Sequence, residues 1–162
     1  MAPKPILIVA GRNEGKSSSI AALLSGPPYR TMRKCGILAL ANAEKTAYTL
    51  KDLVSGEERL AMTTEEKSAW RRLGRFFWDS EAFAWANERT IASLGACELA
   101  VFDEIGRLEL AGDGLAPAFA RALGAQGVQV IAAVRTPFVS EVLRTFTIEE
   151  AEIRMVGESG DE

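Results

Sequence analysis

Residues 10–17 run Ala-Gly-Arg-Asn-Glu-Gly-Lys-Ser, and far downstream two carboxylates stand together at Asp103-Glu104. Gly11 and Gly15 leave the backbone bare, so successive N–H groups can turn inward on an anion. Lys16 has the reach for the outer oxygens of a polyphosphate, and the Ser17 hydroxyl is a ligand type for Mg²⁺. An Asp at the mouth of a buried strand, Asp103, suits the same metal through its water shell. The adjacent Glu104, ionised at neutral pH, suits the alignment and deprotonation of an attacking water. The chain has no histidine, which removes the commonest alternative base. The ligand implied is a nucleotide. Ala10, Gly11, Arg12, Asn13, Glu14, Gly15, Lys16, Ser17 and Ser18 form the phosphate-binding set, Lys16 and Glu104 are catalytic, and Ser17 and Asp103 serve Mg²⁺.

These groups need elements to hold them. Ile6 to Val9 are four consecutive apolar residues, as a strand buried on both faces of a parallel sheet requires. Ile20, Leu23 and Leu24 recur at helical spacing after the loop, and Gly26-Pro27-Pro28 stops that helix. Leu99 to Phe102 is a second buried-strand run ending at the carboxylates. Between the two, polar stretches at 41–45 and 55–58 interrupt apolar runs, which predicts two hairpins. Asp79 or Ser80 caps a helix through about Leu94. A further helix spans 115–123 with Pro117 in its first turn, Val128 to Val134 is a core strand, Ser140 to Arg144 a short helix, and Ile153 to Val156 a last strand. The fold class is α/β.

The string Val101-Phe102-Asp103-Glu104-Ile105-Gly106-Arg107-Leu108-Glu109-Leu110 resembles the Walker B signature of the small nucleoside-triphosphatases of the THEP1 type. Lys34-Cys35-Gly36 and the stretch through 54–61 are similar to that family's insert after the first helix. Arg72-Leu73-Gly74-Arg75-Phe76-Phe77-Trp78-Asp79 resembles its strand leading into a helix. The resemblance covers nearly the whole chain. It implies a RecA-like, three-layer P-loop fold with a mainly parallel central sheet and a hairpin-rich insert, forming one domain over 1–162. It also implies Mg²⁺-dependent hydrolysis of nucleoside triphosphates, ATP and GTP among them, to diphosphates with loose base choice. The loop departs from the family pattern: Ala10 stands for the usual first Gly, and Arg12, Asn13 and Glu14 replace other loop residues. A small-molecule kinase, in which a hydroxyl replaces water, and a nucleotide-dependent adaptor or switch with slow hydrolysis are the alternatives the same residues leave open.

Composition bounds the rest. With 19 Lys and Arg against 22 Asp and Glu the net charge is −3, which argues against a nucleic-acid partner, since binding a phosphate backbone needs a basic face. No run approaches the ~20 apolar residues of a membrane span, and the lead to Pro5 lacks a signal peptide's apolar core, so a cytoplasmic protein with no membrane partner is expected. Cys35 and Cys97 fit no metal or redox spacing and read as free thiols. Arg135, just past a core strand, and Arg12, within the loop, read first as surface arginines and second as cations that touch a terminal phosphate, with Arg12 alternatively covering the bound nucleotide. Trp70, Trp78 and Trp85 read as core aromatics before base-stacking ones, and Arg71, Arg72 and Arg75 as a solvated face.

Overall fold

The computed structural model of the chain describes residues 3–11 and 16–156, with side chains in the second stretch from Ser18 onward. In chain order the elements are β1 (Ile6–Ala10), α1 (Lys16–Leu24), β2 (Lys34–Ala41), β3 (Ala47–Asp52), β4 (Glu58–Thr63), β5 (Arg71–Leu73), β6 (Phe76–Trp78), α2 (Ser80–Ser93), β7 (Leu99–Ile105), α3 (Arg107–Leu110), α4 (Ala116–Leu123), β8 (Gln129–Arg135), α5 (Val139–Thr145) and β9 (Glu152–Met155). The strands join one sheet in the order β5-β6-β4-β3-β2-β7-β8-β1-β9. β2, β7, β8, β1 and β9 run parallel, while β3 to β6 extend the β2 side as antiparallel hairpins.

The continuous apolar runs of β1, β7 and β8 follow from burial on both faces. On one face Ile20 of α1 packs with Ile6, Ile8, Leu99, Val101 and Ile131. On the other, Leu7, Val9 and Phe102 meet Phe83 and Ala86 of α2 and Phe119 and Ala122 of α4. Phe119 links Phe102 to Phe146 by edge-on contacts with centroids 5.3 and 4.8 Å apart. Each such side chain removed from water contributes roughly 1.5–3 kcal/mol, so both faces are well driven to close. The expected three layers around a mainly parallel sheet are what these contacts build. Asp79 caps α2, its carboxylate accepting from the Glu81 N–H at 3.0 Å, as its residue type predicts.

The insert matches the expected hairpins at β2–β3 and β3–β4, but Arg72 to Asp79 is a correction. The resemblance implies a single strand there; the segment instead folds back on itself, β5 against β6, around Gly74 at φ +61°. The arginines stay exposed, as the expected solvated face requires. Arg71 and Arg72 lie over the rings of their cross-strand partners Trp78 and Phe77, 5.4 and 5.6 Å from the centroids, and Arg75 lies over Phe76 at 4.8 Å. Pairing across the hairpin brings the Arg71 and Arg72 guanidinium groups onto aromatic faces, while Arg75, in the turn, stacks on its chain neighbour Phe76. Trp78 and Trp85 are core residues, as expected.

Gly36 explains why β2 can lie so close to β7. Its φ is +119°, and a Cβ there would stand 2.1 Å from the Val101 carbonyl oxygen. Cys35 and Cys97 are buried free thiols, and burial together with the neighbouring Cys97 pushes the Cys35 thiol up, keeping it protonated and inert.

Candidate active site

All parallel strands of one sheet end on the same side, so the loop after β1 and the carboxylates of β7 open on one edge. β8 lies between them. Its last residue, Arg135, is in register with Ala10, while Ile105 is in register with Val134. The two halves of the site are therefore two strand spacings apart, roughly 10 Å, at one level of the sheet.

β7 loses its backbone partners where the carboxylates stand. Its pairing with β2 stops at Ile37 and Phe102, and its register with β8 slips between Phe102 and Ile105. Asp103 and Glu104 lie in that gap. They belong to the strand itself, not to a turn after it. The freed Ala39 N–H donates at 2.9 Å to Asp103 Oδ2 in place of a backbone carbonyl, which fixes a carboxylate only 4% exposed. The Glu104 side chain is 39% exposed, and its Oε2 stands 3.5 Å from Nε of Arg135. That Nε is buried and makes no hydrogen bond among the described residues, so the contact is an ion pair without hydrogen-bond alignment.

Behind this pair the chain is held by Glu109, a residue of the Walker B-like string to which sequence reasoning assigned no physical role. It is 5% exposed, and its two oxygens accept from Gly106 N at 2.7 Å and Leu115 N at 2.9 Å. Burial pushes its carboxyl up to about 7, with Glu104 adding to the rise, while the backbone N–H bonds pull it back. The fit is tight enough that a Cβ on Gly114 would meet Glu109 Oε2 at 2.3 Å, at a backbone φ of +59°. Asn87 of α2 secures the same loop, donating to the Phe83 and Gly114 carbonyls and accepting from Ala118 N. An Asn directly after the apolar run Ala82-Phe83-Ala84-Trp85-Ala86 is the one sequence signal of this clamp.

Of the phosphate-binding set, Ala10 ends β1, Gly11 follows it, Lys16 and Ser17 open α1, and Ser18 lies exposed in the first turn. Arg12, Asn13, Glu14 and Gly15 lie outside the described residues, as do the side chains of Lys16 and Ser17. What the structure brings together is the end of β1, Arg135 and Glu104, with Asp103 beside them.

A family model described as NTPase matches residues 8–158. The chain belongs to this NTPase family. It is accordingly a nucleoside-triphosphate hydrolase by class. No curated protein matches the sequence. Two solved structures share the NTPase fold. A crystal structure of THEP1 from the hyperthermophile Aquifex aeolicus superposes with a TM-score of 0.72 at 17% identity, covering 96% of this chain and 91% of that one. The solution structure of a human cancer-related nucleoside triphosphatase gives 0.75 at 16% identity, covering 98% and 91%. At such identities the likeness is one of fold. Among the described residues no helix is long and apolar enough to cross a membrane.

Proposed function

We propose that the chain hydrolyses nucleoside triphosphates to diphosphates and phosphate in an Mg²⁺-dependent reaction with loose base choice, as one domain in the cytoplasm. The observation that carries this reading is the convergence of β1 and β7 on Arg135: Ala10 is in register with it and Glu104 is ion-paired to it. The amides of the loop and of the α1 N-terminus would hold the β- and γ-phosphates, with Lys16 on their outer oxygens.

The donors present suit Mg²⁺. A hydroxyl and one carboxylate, Ser17 and Asp103, are hard oxygen ligands, and among the described residues no three acidic, His or Cys side chains gather into a cage. Mg²⁺ favours such sparse protein ligation, completed by water and phosphate. When bound it offsets charge on the β- and γ-oxygens. Glu104 takes a proton from the attacking water as oxygen bonds to the γ-phosphorus and the bridge to the β-phosphate breaks. Arg135 faces the same point and stabilises charge there.

Phosphate release from ATP, GTP, CTP and UTP, with and without Mg²⁺, tests the proposal. Release from all four within about tenfold of one another, abolished by chelation, is expected. Tight binding with no release would favour the nucleotide-dependent switch, and no binding would end the proposal.

A further inference from the structure

A cavity of about 700 Å³ begins at Asp103 and Glu104 and runs under the insert, away from β1. Its floor is apolar and nearly closed: Leu50 and Phe83 are 3% and 6% exposed, and Ile37 and Ala61 of the same lining are fully buried. Tyr48, Met62 and Phe76 add two rings and a thioether to its walls. The roof is made by two hairpin tips tied together, Arg75 Nη2 donating to the Lys45 carbonyl at 3.2 Å. Lys45 is held at φ +59° in that turn. The inner end is Glu104 with Arg135.

This space is not where the triphosphate's nucleoside belongs, a point that rests on the function proposed above. In-line attack puts the water and its base on the side of the γ-phosphorus opposite the diphosphate. The nucleoside then trails toward the β1 loop, and the cavity continues beyond Glu104 in the other direction. The faces agree. α1 packs on the Ile6 and Ile8 face, whereas the cavity lies over Ile37 and Leu50 on the face covered by α2.

The rim indicates what could enter. Lys45, Arg75 and Arg107 are exposed cations at the mouth, against one exposed acid, Glu44, on a chain whose net charge is −3. An apolar, ring-lined space of this size with a few charged groups at its edge has the make-up of a small-molecule site.

We propose that the cavity is a second ligand site, distinct from the triphosphate's, for a small planar-ring molecule carrying one anionic group. The ring lies between the floor and the Tyr48–Phe76 pair, whose rings already meet edge-on with centroids 5.6 Å apart, and the anion faces Arg107 and Arg75. Because the inner wall is Glu104, an occupant covers the side from which water reaches the γ-phosphate. It therefore slows hydrolysis without displacing the nucleotide.

The probe 8-anilinonaphthalene-1-sulfonate, an aromatic sulfonate, tests this by fluorescence titration of the full chain, with phosphate release measured alongside. Expected are one saturable site per chain, an affinity that saturating Mg-ATP changes by less than about twofold, and lower phosphate release at unchanged KM. Arg107→Glu, on an exposed residue, should weaken the probe about tenfold. Met62→Trp should weaken it further by filling the wall; if that variant does not fold, Arg107→Glu still decides. Displacement of the probe by ATP, or equal affinity in Arg107→Glu and wild type, overturns the proposal. Normal phosphate release with no probe binding fails the second site alone. Probe binding as expected in a chain that binds no triphosphate fails the hydrolase mechanism and leaves the site standing.

Discussion

Nε of Arg135 lies 3.5 Å from Oε2 of Glu104, so the last residue of β8 and the second carboxylate of β7 face each other across the slip in their register. The arginine therefore holds the proposed base at the level where β1 releases its loop.

Removing that cation should separate binding from turnover. Arg135→Ala is expected to lower kcat by about a hundredfold, the scale of losing one donor aimed at developing charge, with only a few-fold change in triphosphate affinity. Steady-state phosphate release and a binding titration on the same preparation check it. Unchanged kcat would make Arg135 a bystander.

Glu109→Gln should destabilise the protein by roughly 1–3 kcal/mol, because a Gln can accept only one of the two N–H bonds from Gly106 and Leu115. The penalty should depend on pH with a definite sign. Burial raises the folded carboxyl from 4.5 to about 7, so the folded state binds the proton more readily than the unfolded chain across that window. Wild-type stability from this group is thus greatest below pH 4.5 and falls as pH rises toward 7. The Gln variant lacks this slope. Urea unfolding at pH 5 and pH 7.5 should show the wild-type advantage shrinking at the higher pH, and an advantage that grows would contradict the account.

Gly36→Ala tests the close approach of β2 to β7. A Cβ 2.1 Å from the Val101 oxygen, on a backbone at φ +119°, forces the central strands apart. A loss of about 3 kcal/mol or more in equilibrium unfolding is expected. A variant as stable as wild type would mean that the strands are not packed this closely.

The central fold was legible because its strands announce themselves. Ile6 to Val9 and Leu99 to Phe102 are continuously apolar since helices cover both faces of the sheet, and the loop and carboxylates that follow them are chemically marked. The hairpin at Gly74 was not legible: Leu73 and Phe76 flank Gly74-Arg75, which is not one of the usual two-residue turn pairs, and the positive φ of Gly74, a product of the fold, distinguishes a reversal from a bulge. α3 is four residues long, too short for any periodicity, and stands on the Glu109 bonds to both ends of its loop. The Arg135 to Glu104 contact depends on one extra residue in β7 relative to β8, a register detail that local residue types do not encode.

Glu104→Gln tests the shared site most directly. If the loop after β1 and the carboxylates of β7 act on one triphosphate, this variant should bind Mg-ATP within about threefold of wild type yet release phosphate at least a hundredfold more slowly. Phosphate release at the wild-type rate from a variant that still binds would contradict it.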